Sequence, residues 1–491
     1  MTARILVLAF AALILGGCGP VQSYLGSKPM QFFCPNLGPY IEDYRHRSFA
    51  QLQQYAVPPT DDDAMVAAPA SQFSAFELQA EQMAFGGDRQ PKALLLSGGG
   101  QWGAFGAGFL AAQQPANRDW DVVTGISTGA IQALFVGADE FEKMAALYRL
   151  PNGNPASANG FRLLTRGSQH DLSPLREMLR EQLYYSEGVR LLETIASGTA
   201  NGKVLPEVWI GLAEGRSTNL RTVHLSGYVR DHFGAGDPAS EKAVGDCVAG
   251  LVLGSSAIPL RLTPVQIDIS DSASPTGEYR TFMDGGIRLS IIDEQMAELL
   301  DTTYALDLCA QLSPDTQCTR FKVEEGLEKG QIQPGASPGL YIVRNGPTIV
   351  PTGGTLETEI DRDPDAYVTA IRGYSILVNQ NELASVSEMQ ARHPSANIFF
   401  ASADGYNWMN SDTNPRPPCP ERNEKIYFHK EFMECLETFG RWRKSNIDAA
   451  SEGWFVLQSA DKIGLDGEPA SLPSADAFLR AAPLLQRRRA R

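Results

Sequence analysis

Residues 122–130 have the sequence Val122-Val123-Thr124-Gly125-Ile126-Ser127-Thr128-Gly129-Ala130, and their pattern indicates the fold of the chain around them. It reads as a short apolar strand, a Gly-x-Ser-x-Gly turn and the start of a helix. Gly125 and Gly129 suit such a turn, because side chains there would collide with neighbouring backbone. The Ser127 hydroxyl would stand at a helix N-terminus, where the dipole favours negative charge. We interpret Ser127 as a nucleophile; a solvated serine in an ordinary turn is the alternative.

The segments around this turn alternate between strand and helix. We predict strands at 93–96, 122–124, 208–211, 221–225 and 340–343, and helices at 104–113, after Ser127, and at 367–393. Such alternation predicts an α/β fold with a mostly parallel central sheet, covered by helices on both faces.

A glycine loop, Ser97-Gly98-Gly99-Gly100-Gln101-Trp102-Gly103, also lies between a predicted strand and a predicted helix. We expect the N–H groups of Gly98, Gly99, Gly100 and Gly103 to converge as an oxyanion hole for acyl transfer. The loop also fits Gly-x-Gly-x-x-Gly, but no strand ending in an acidic residue follows at the spacing that a dinucleotide site requires. A P-loop fails because no Lys-Ser or Lys-Thr follows the glycines.

Three motifs in order resemble the patatin-like phospholipase family: the glycine loop, the Gly125-x-Ser127-x-Gly129 turn, and Asp284-Gly285-Gly286. Segments 171–175 and 255–259 resemble further family segments, so the resemblance covers about 92–292. It implies a three-layer α/β/α patatin-like fold, a Ser-Asp dyad in place of a triad, and acyl ester or phospholipid substrates.

The resemblance assigns the base role to Asp284, which at pH 7 can accept the serine proton. Gly285 and Gly286 would permit the turn that presents it. The chain departs from the family in two places. Trp102 stands where many members have a cation, so a positive charge beside the oxyanion loop is expected to be missing. Ser290 and Ile292 stand where Asn and Pro often follow, which affects the anchoring of this loop.

Two other functional interpretations remain open at this stage. One is an α/β-hydrolase with a Ser-His-Asp triad, for which His393 or His429 would supply the base. Neither histidine lies in a supporting motif. The other is a non-catalytic envelope scaffold that has kept the fold, since fold and motif do not prove turnover.

The N-terminus predicts export and lipidation. Arg4 precedes an apolar run that ends in Leu15-Gly16-Gly17-Cys18, a pattern typical of a lipoprotein signal peptide over residues 1–17. The apolar run is too short to span a bilayer. We therefore expect Cys18 to carry fatty acyl chains, palmitate among them, and to anchor the chain to the membrane. Gly19, in place of Asp, favours the outer membrane facing the periplasm.

Composition limits the partners and cofactors. The net charge of −15 gives nucleic acid no electrostatic attraction. Neither cysteines nor histidines show metal-ligand spacing, so we predict no metal or cofactor, and the sequence makes no prediction of oligomeric state. Six cysteines besides Cys18 allow 15 disulfide pairings, among which Cys309 with Cys318 and Cys419 with Cys435 would be local.

The domain prediction has three parts after the signal peptide. A lead-in covers 18–90, the acyl hydrolase domain covers 91–400, and a C-terminal extension covers 401–491. The extension is rich in proline, asparagine and aromatic residues.

Overall fold

The protein is described by a computed structural model. It describes residues 30–44, 79–80, 82–83, 90–150, 157–158, 168–185, 190–234, 238–270, 272, 274–351, 355–362, 366–393, 395–407, 417–422, 428–446, 452–459 and 472–490. The predicted signal peptide and Cys18 lie outside these residues. Within them, no helix is both long and apolar enough to cross a membrane.

The strands, numbered in chain order over the described residues, are β1 Met30–Phe33, β2 Ile41–Asp43, β3 Lys92–Leu96, β4 Val122–Ile126, β5 Ser157–Ala158, β6 Ser168–Asp171, β7 Thr199–Ala200, β8 Lys203–Val204, β9 Glu207–Glu214, β10 Leu220–His224, β11 Leu260–Leu262, β12 Val265–Asp268, β13 Tyr279–Asp284, β14 Gly339–Arg344, β15 Asn397–Ser402 and β16 Phe455–Gln458. Eleven of them form one sheet in the order β1-β12-β13-β9-β4-β3-β14-β15-β16, with β10 joining β9 to β2.

The helices, numbered in the same way, are α1 Gly103–Ala111, α2 Thr128–Gly137, α3 Phe141–Tyr148, α4 Ser173–Arg180, α5 Leu191–Ser197, α6 Leu225–His232, α7 Pro238–Ser255, α8 Glu294–Ala310, α9 Arg320–Glu328, α10 Thr355–Arg362, α11 Ala366–Arg392, α12 Lys430–Asn446 and α13 Ala475–Arg489. The predicted helices at 104–113 and 367–393 correspond to α1 and α11, and each agrees to within two residues at both ends.

The centre of the sheet is parallel, as predicted. Strands β9, β4, β3, β14 and β15 run in the same direction, whereas β10, β13 and β16 pair antiparallel with their neighbours. All five predicted strands are present, with bounds that differ by at most three residues. The α/β class with a mostly parallel central sheet is confirmed.

Both faces of the sheet are buried, which makes the fold three-layered. In β3, Leu94 and Leu96 pack into the core cluster that holds α1, α2 and α12. Ala93 and Leu95 point to the opposite face and join the cluster that holds α8 and α13. Because alternate side chains of a strand point to opposite faces, a continuous apolar run satisfies both helical layers.

The predicted lead-in and C-terminal extension both supply strands to this sheet. From the lead-in, β1 pairs with β12 and β2 pairs with β10. From the extension, β16 pairs with β15, and α12 packs against α1. The described residues 30–44 of the lead-in are therefore tied to the sheet by backbone hydrogen bonds.

Three disulfides involve all six of the remaining cysteines. Cys309 bonds Cys318 and Cys419 bonds Cys435, which are the two local pairs that the sequence suggested. The third bond joins Cys34 to Cys247 across 213 residues. It connects the end of β1 to the middle of α7, a pairing that spacing alone did not distinguish from the other possibilities.

Candidate active site

The site lies where neighbouring parallel strands end. Ser127 follows β4, the glycine loop follows β3, and Asn345 follows β14; these three strands are adjacent in the sheet. The carboxyl ends of parallel strands therefore bring the three segments together. Asp284 enters from the other side, at the end of β13, opposite Leu212 of β9.

Ser127 occupies a strained turn between β4 and α2. Its φ of 56° and ψ of −123° lie outside the regions that non-glycine residues usually adopt. The turn requires both flanking glycines. A Cβ on Gly125 would lie 2.1 Å from the Gly129 carbonyl oxygen, and a Cβ on Gly129 would lie 2.3 Å from the Leu96 carbonyl oxygen. The predicted strand-to-helix turn is thus present, with its serine at the helix N-terminus.

Ser127 and Asp284 are in direct contact. The Ser127 hydroxyl donates to Asp284 Oδ2 at 2.6 Å, and the Gly286 N–H donates to Asp284 Oδ1 at 2.7 Å. Burial raises the pKa of Asp284 to about 6, and the two hydrogen bonds oppose that rise. The carboxylate is therefore ionised at neutral pH and already accepts a hydrogen bond through the proton that a nucleophilic serine must lose.

A second serine, Ser255, supports the turn. The backbone N–H of Ser127 donates to Ser255 Oγ at 2.9 Å, and Ser255 Oγ donates to the Gly211 carbonyl at 2.6 Å. The sequence placed Ser255 in a segment of family resemblance but did not predict this contact. Because its N–H is occupied, the backbone of Ser127 cannot serve as an oxyanion donor in this arrangement.

The glycine loop presents two of its four predicted donors. The Gly98 N–H donates to the Ser290 carbonyl at 3.2 Å, and the Gly103 N–H donates to the Gly100 carbonyl inside a 3₁₀ turn. The prediction that Gly98 and Gly103 are oxyanion donors therefore needs correction, because both N–H groups are occupied. Within the described residues, the N–H groups of Gly99 and Gly100 have no hydrogen-bond partner, and both residues line the cavity above Ser127.

Asn345 and Gln132 hold this loop in place. The Asn345 side-chain amide donates to the Ser97 carbonyl at 2.7 Å and to Gln132 Oε1 at 2.9 Å. The Gln132 amide in turn donates to the Gly103 carbonyl at 2.7 Å. Sequence reasoning missed both residues. A signal for Asn345 was its position directly after a predicted parallel strand, where sites of α/β proteins form.

Both departures from the family pattern can be located. Trp102 is buried, and the guanidinium of Arg422 lies 5.6 Å from its ring centroid. Arg422 also lines the cavity, so the expectation that a cation is missing beside the loop is corrected: a separate segment supplies one. Ser290 is fully buried, and its carbonyl accepts the Gly98 N–H. The loop after Asp284 is thereby tied to the glycine loop without the usual asparagine.

Two spaces meet at Ser127 and Gly100. The larger, with a volume of about 150 Å³, is lined by Asp284, by the glycine loop and by four arginines: Arg261, Arg344, Arg372 and Arg422. The smaller, about 40 Å³, is lined mostly by apolar side chains, including Ile131, Leu147, Leu150, Leu175 and Met178. We call them the polar cavity and the apolar slot.

The histidines of the triad alternative lie elsewhere. Among the described residues, no histidine lines either space. The His429 ring lies 3.2 Å from the Glu431 carboxylate, and the backbone carbonyl of His393 accepts a hydrogen bond from the side-chain amide of Gln458. The hydroxyl of Ser127 instead reaches Asp284 with no intervening group. Within the described residues, no cluster of three or more His, Cys, Asp or Glu side chains could hold a metal ion.

Comparison with known proteins identifies the class to which this arrangement belongs. The family model described as patatin-like phospholipase matches residues 94–292, so this part of the chain is a patatin-like phospholipase domain. The match spans the glycine loop, the Ser127 turn and the Asp284 loop. This match supports lipid ester hydrolysis as the class of activity of the domain.

The chain was also compared with curated proteins and with solved structures. No curated protein matches the chain. Among solved structures, the crystal structure of VipD from Legionella pneumophila is similar at 12% identity, over 81% of this chain and 74% of that chain, with a TM-score of 0.29.

Proposed function

We propose that the protein is a serine hydrolase of lipid carboxylic esters, of the phospholipase A, lysophospholipase or esterase type, in which Ser127 and Asp284 form a catalytic dyad. The observation that carries the proposal is the 2.6 Å hydrogen bond from the Ser127 hydroxyl to Asp284 inside the family domain. A serine hydroxyl is a weak nucleophile until a neighbouring base accepts its proton.

In the acylation step, Ser127 Oγ attacks the ester carbonyl carbon while its proton passes to Asp284. The tetrahedral intermediate then collapses, the bond to the alcohol oxygen breaks, and Asp284 returns the proton to the leaving alcohol. The acyl group stays on Ser127. Water then attacks the acyl-enzyme as Asp284 takes a proton from it, and collapse releases the fatty acid and returns the proton to Ser127.

The developing oxyanion needs hydrogen-bond donors that are already in place. The N–H groups of Gly99 and Gly100 are the candidates, because they face the cavity and, within the described residues, are not otherwise bonded. Losing one such donor typically costs roughly 3 kcal/mol of transition-state stabilisation.

The apolar slot supports an acyl chain as the group on the acid side of the ester. It begins at Ser127, and its walls come from α2, α3 and α4, which contribute Ile131, Leu147 and Leu175. Burial of each CH₂ group of a chain in such a slot is worth about 0.8 kcal/mol. A hydrolase of this kind would therefore bind fatty acyl esters in preference to acetyl esters.

For its location, we propose anchoring to the outer membrane through lipid on Cys18, facing the periplasm. The Leu15-Gly16-Gly17-Cys18 pattern supports it. The three disulfides also agree with an oxidising compartment. A lipid anchor would hold the enzyme at the surface that contains its substrate.

A fluorophosphonate probe tests the dyad, because it reacts with activated serines only. The wild type should be labelled and should hydrolyse a medium-chain ester, whereas Ser127→Ala should lose both properties. Ser387→Ala is a matched control, since Ser387 is exposed on α11. Labelling of Ser127→Ala at the wild-type level would disprove the assignment. A wild type that neither labels nor hydrolyses any ester or phospholipid would favour the scaffold alternative.

A further inference from the structure

Arg261 is a buried arginine that lines the polar cavity together with Ser127 and Asp284. It is the middle residue of β11, and only 9% of its surface is exposed. Arginine carries its charge at all physiological pH values and is seldom buried without a partner. Its surroundings therefore indicate what it does.

No protein group within the described residues neutralises this side chain. The guanidinium of Arg261 has no hydrogen bond, ion pair or aromatic contact there. The two carboxylates that line the cavity already have partners. Asp284 accepts from Ser127 and Gly286, and Glu382 accepts from Arg344 Nε at 2.7 Å.

The other cavity arginines are engaged by the protein. Arg344 also donates to the Pro347 carbonyl and to Asn379. Arg372 donates to the Pro351 carbonyl at 3.1 Å, and Arg422 lies over Trp102. Arg261 differs from all three because it lines the cavity and its guanidinium has no such partner within the described residues.

The balance of charge in the cavity is opposite to that of the whole chain. Four arginines face two carboxylates there, an excess of two positive charges, whereas the chain carries −15 overall. A buried cation without a counter-ion is destabilising. An anionic ligand that binds in the cavity would remove this penalty and gain charge-assisted hydrogen bonds.

The backbone of β11 places opposite chemistry on either side of the reactive serine. Arg261 lines the polar cavity, whereas the next residue, Leu262, lines the apolar slot. Leu260, the residue before Arg261, has a φ of 67°, a left-handed conformation that is unfavourable for a residue with a side chain. An ester at Ser127 would thus have its acyl chain beside Leu262 and its alcohol portion beside Arg261.

We propose that Arg261 binds the phosphate group of a glycerophospholipid substrate and is a specificity-determining residue for phospholipids over neutral lipid esters. The proposal rests on the function proposed above. Arginine suits this role, because its planar donors match phosphate oxygens in pairs. Inorganic phosphate and a fatty acid carboxylate are also anions that could accept hydrogen bonds from Arg261, and the experiments below distinguish them from a phospholipid phosphate.

The test compares the hydrolysis of a lysophospholipid and of a monoacylglycerol with the same acyl chain. In Arg261→Gln, kcat/KM for the lysophospholipid should fall about tenfold to a hundredfold, because a charged hydrogen-bond partner is lost. For the monoacylglycerol it should stay within about threefold. Arg261→Lys should recover part of the loss. Arg216→Gln is the matched control: it removes the same charge from an exposed loop outside the cavity.

Inhibition experiments identify the source of the anion. Glycerophosphate should inhibit the hydrolysis of a neutral ester by the wild type and inhibit Arg261→Gln at least tenfold more weakly. If Arg261→Gln weakens inhibition by inorganic phosphate or butyrate as much as it weakens inhibition by glycerophosphate, the cavity is a general anion site and the phospholipid assignment is overturned. An equal loss on both lipids would assign Arg261 a structural role, and no loss on either would also overturn the proposal.

The binding of glycerophosphate to Ser127→Ala, measured by calorimetry, separates this proposal from the proposed function. If the wild type hydrolyses no ester but glycerophosphate binding still requires Arg261, the hydrolase proposal fails and the phosphate site stands. If esters are hydrolysed and glycerophosphate does not bind, only the phosphate site fails.

Discussion

Ser127 Oγ and Asp284 Oδ2 lie 2.6 Å apart, at residues of which 3% and 1% of the surface is exposed. The contact joins the start of α2 to the end of β13, which are 157 positions apart in the chain. Because water is excluded from both side chains, the same burial that positions the pair also changes the proton affinity of the carboxylate.

The first prediction concerns pH. Burial raises the pKa of Asp284 to about 6, and only the ionised carboxylate can accept the serine proton. Ester hydrolysis should therefore rise with pH through about 6 and level off above 7, with a slope near one log unit per pH unit on the acidic side. A pH profile of kcat/KM on a neutral ester measures this. A profile that is flat from pH 5 to 8 would contradict the role of Asp284.

Asp284→Asn should cost activity and increase stability. Turnover should fall by about 10² to 10⁴, because the base is lost. A raised carboxyl pKa stabilises the fold only while the proton is bound, so this contribution is complete below about pH 4 and is lost as pH rises through 6. The neutral variant should thus have a higher free energy of unfolding than the wild type at pH 8, by about 1–3 kcal/mol.

Urea denaturation at several pH values checks the stability arm of this prediction. The gain should shrink as pH falls towards 4. If the variant is no more stable than the wild type at pH 8, burial does not destabilise the ionised form of Asp284.

The glycine loop predicts different outcomes for two neighbouring residues. A Cβ on Gly99 would lie 1.9 Å from the Asn345 carbonyl oxygen, whereas a Cβ on Gly100 meets no atom within 4 Å. Gly99→Ala should therefore displace the loop and lower kcat by at least about a hundredfold. Gly100→Ala should cost roughly 1 kcal/mol of stability, since its φ is 58°, and keep most activity. Similar activities of the two variants would exclude this geometry.

Lipidation of Cys18 is tested by metabolic labelling with a fatty-acid probe. The wild type should incorporate the probe and fractionate with the outer membrane, whereas Cys18→Ala should not, because the apolar run before it is too short to remain as a span. Cys435→Ala is a control for a cysteine within the folded domain. Equal labelling of Cys18→Ala and wild type would refute the anchor.

The central strands could be predicted from sequence because their pattern is local. A strand such as β4 is buried on both faces, so its apolar run is bounded clearly by polar and glycine residues. The edge strands lack this signal. In β1 only Phe32 is buried, and in β16 only Gln458 is buried. Their pairing depends on partners more than 50 positions away, which no local pattern encodes.

The site residues that could be predicted from sequence are those in short motifs that fix the local backbone conformation. Ser127 and Asp284 both come from such motifs, and the structure brings them into contact. The glycine loop was predictable only in part: the Gly98 N–H is occupied by the carbonyl of Ser290, which is distant in the chain, and the Gly103 N–H is occupied inside a local 3₁₀ turn. Arg261 was missed for a similar reason. A single arginine in a short strand reads as a solvent-facing residue, and only the folded chain reveals its burial.

The Cys34–Cys247 disulfide determines how a pulling force on the N-terminal segment would be transmitted to the rest of the fold. If the protein is tethered at Cys18, any pull from the membrane enters the described fold at β1, an edge strand of four residues. Edge strands held only by backbone hydrogen bonds can peel away one bond at a time. Because β1 lies between the tether and Cys34, its hydrogen bonds would bear the force first, and the disulfide would then pass the force into α7, the helix that ends at Ser255 beside the Ser127 backbone. Reduction of that one bond would let the separation of the chain from the sheet continue past Cys34 towards β2.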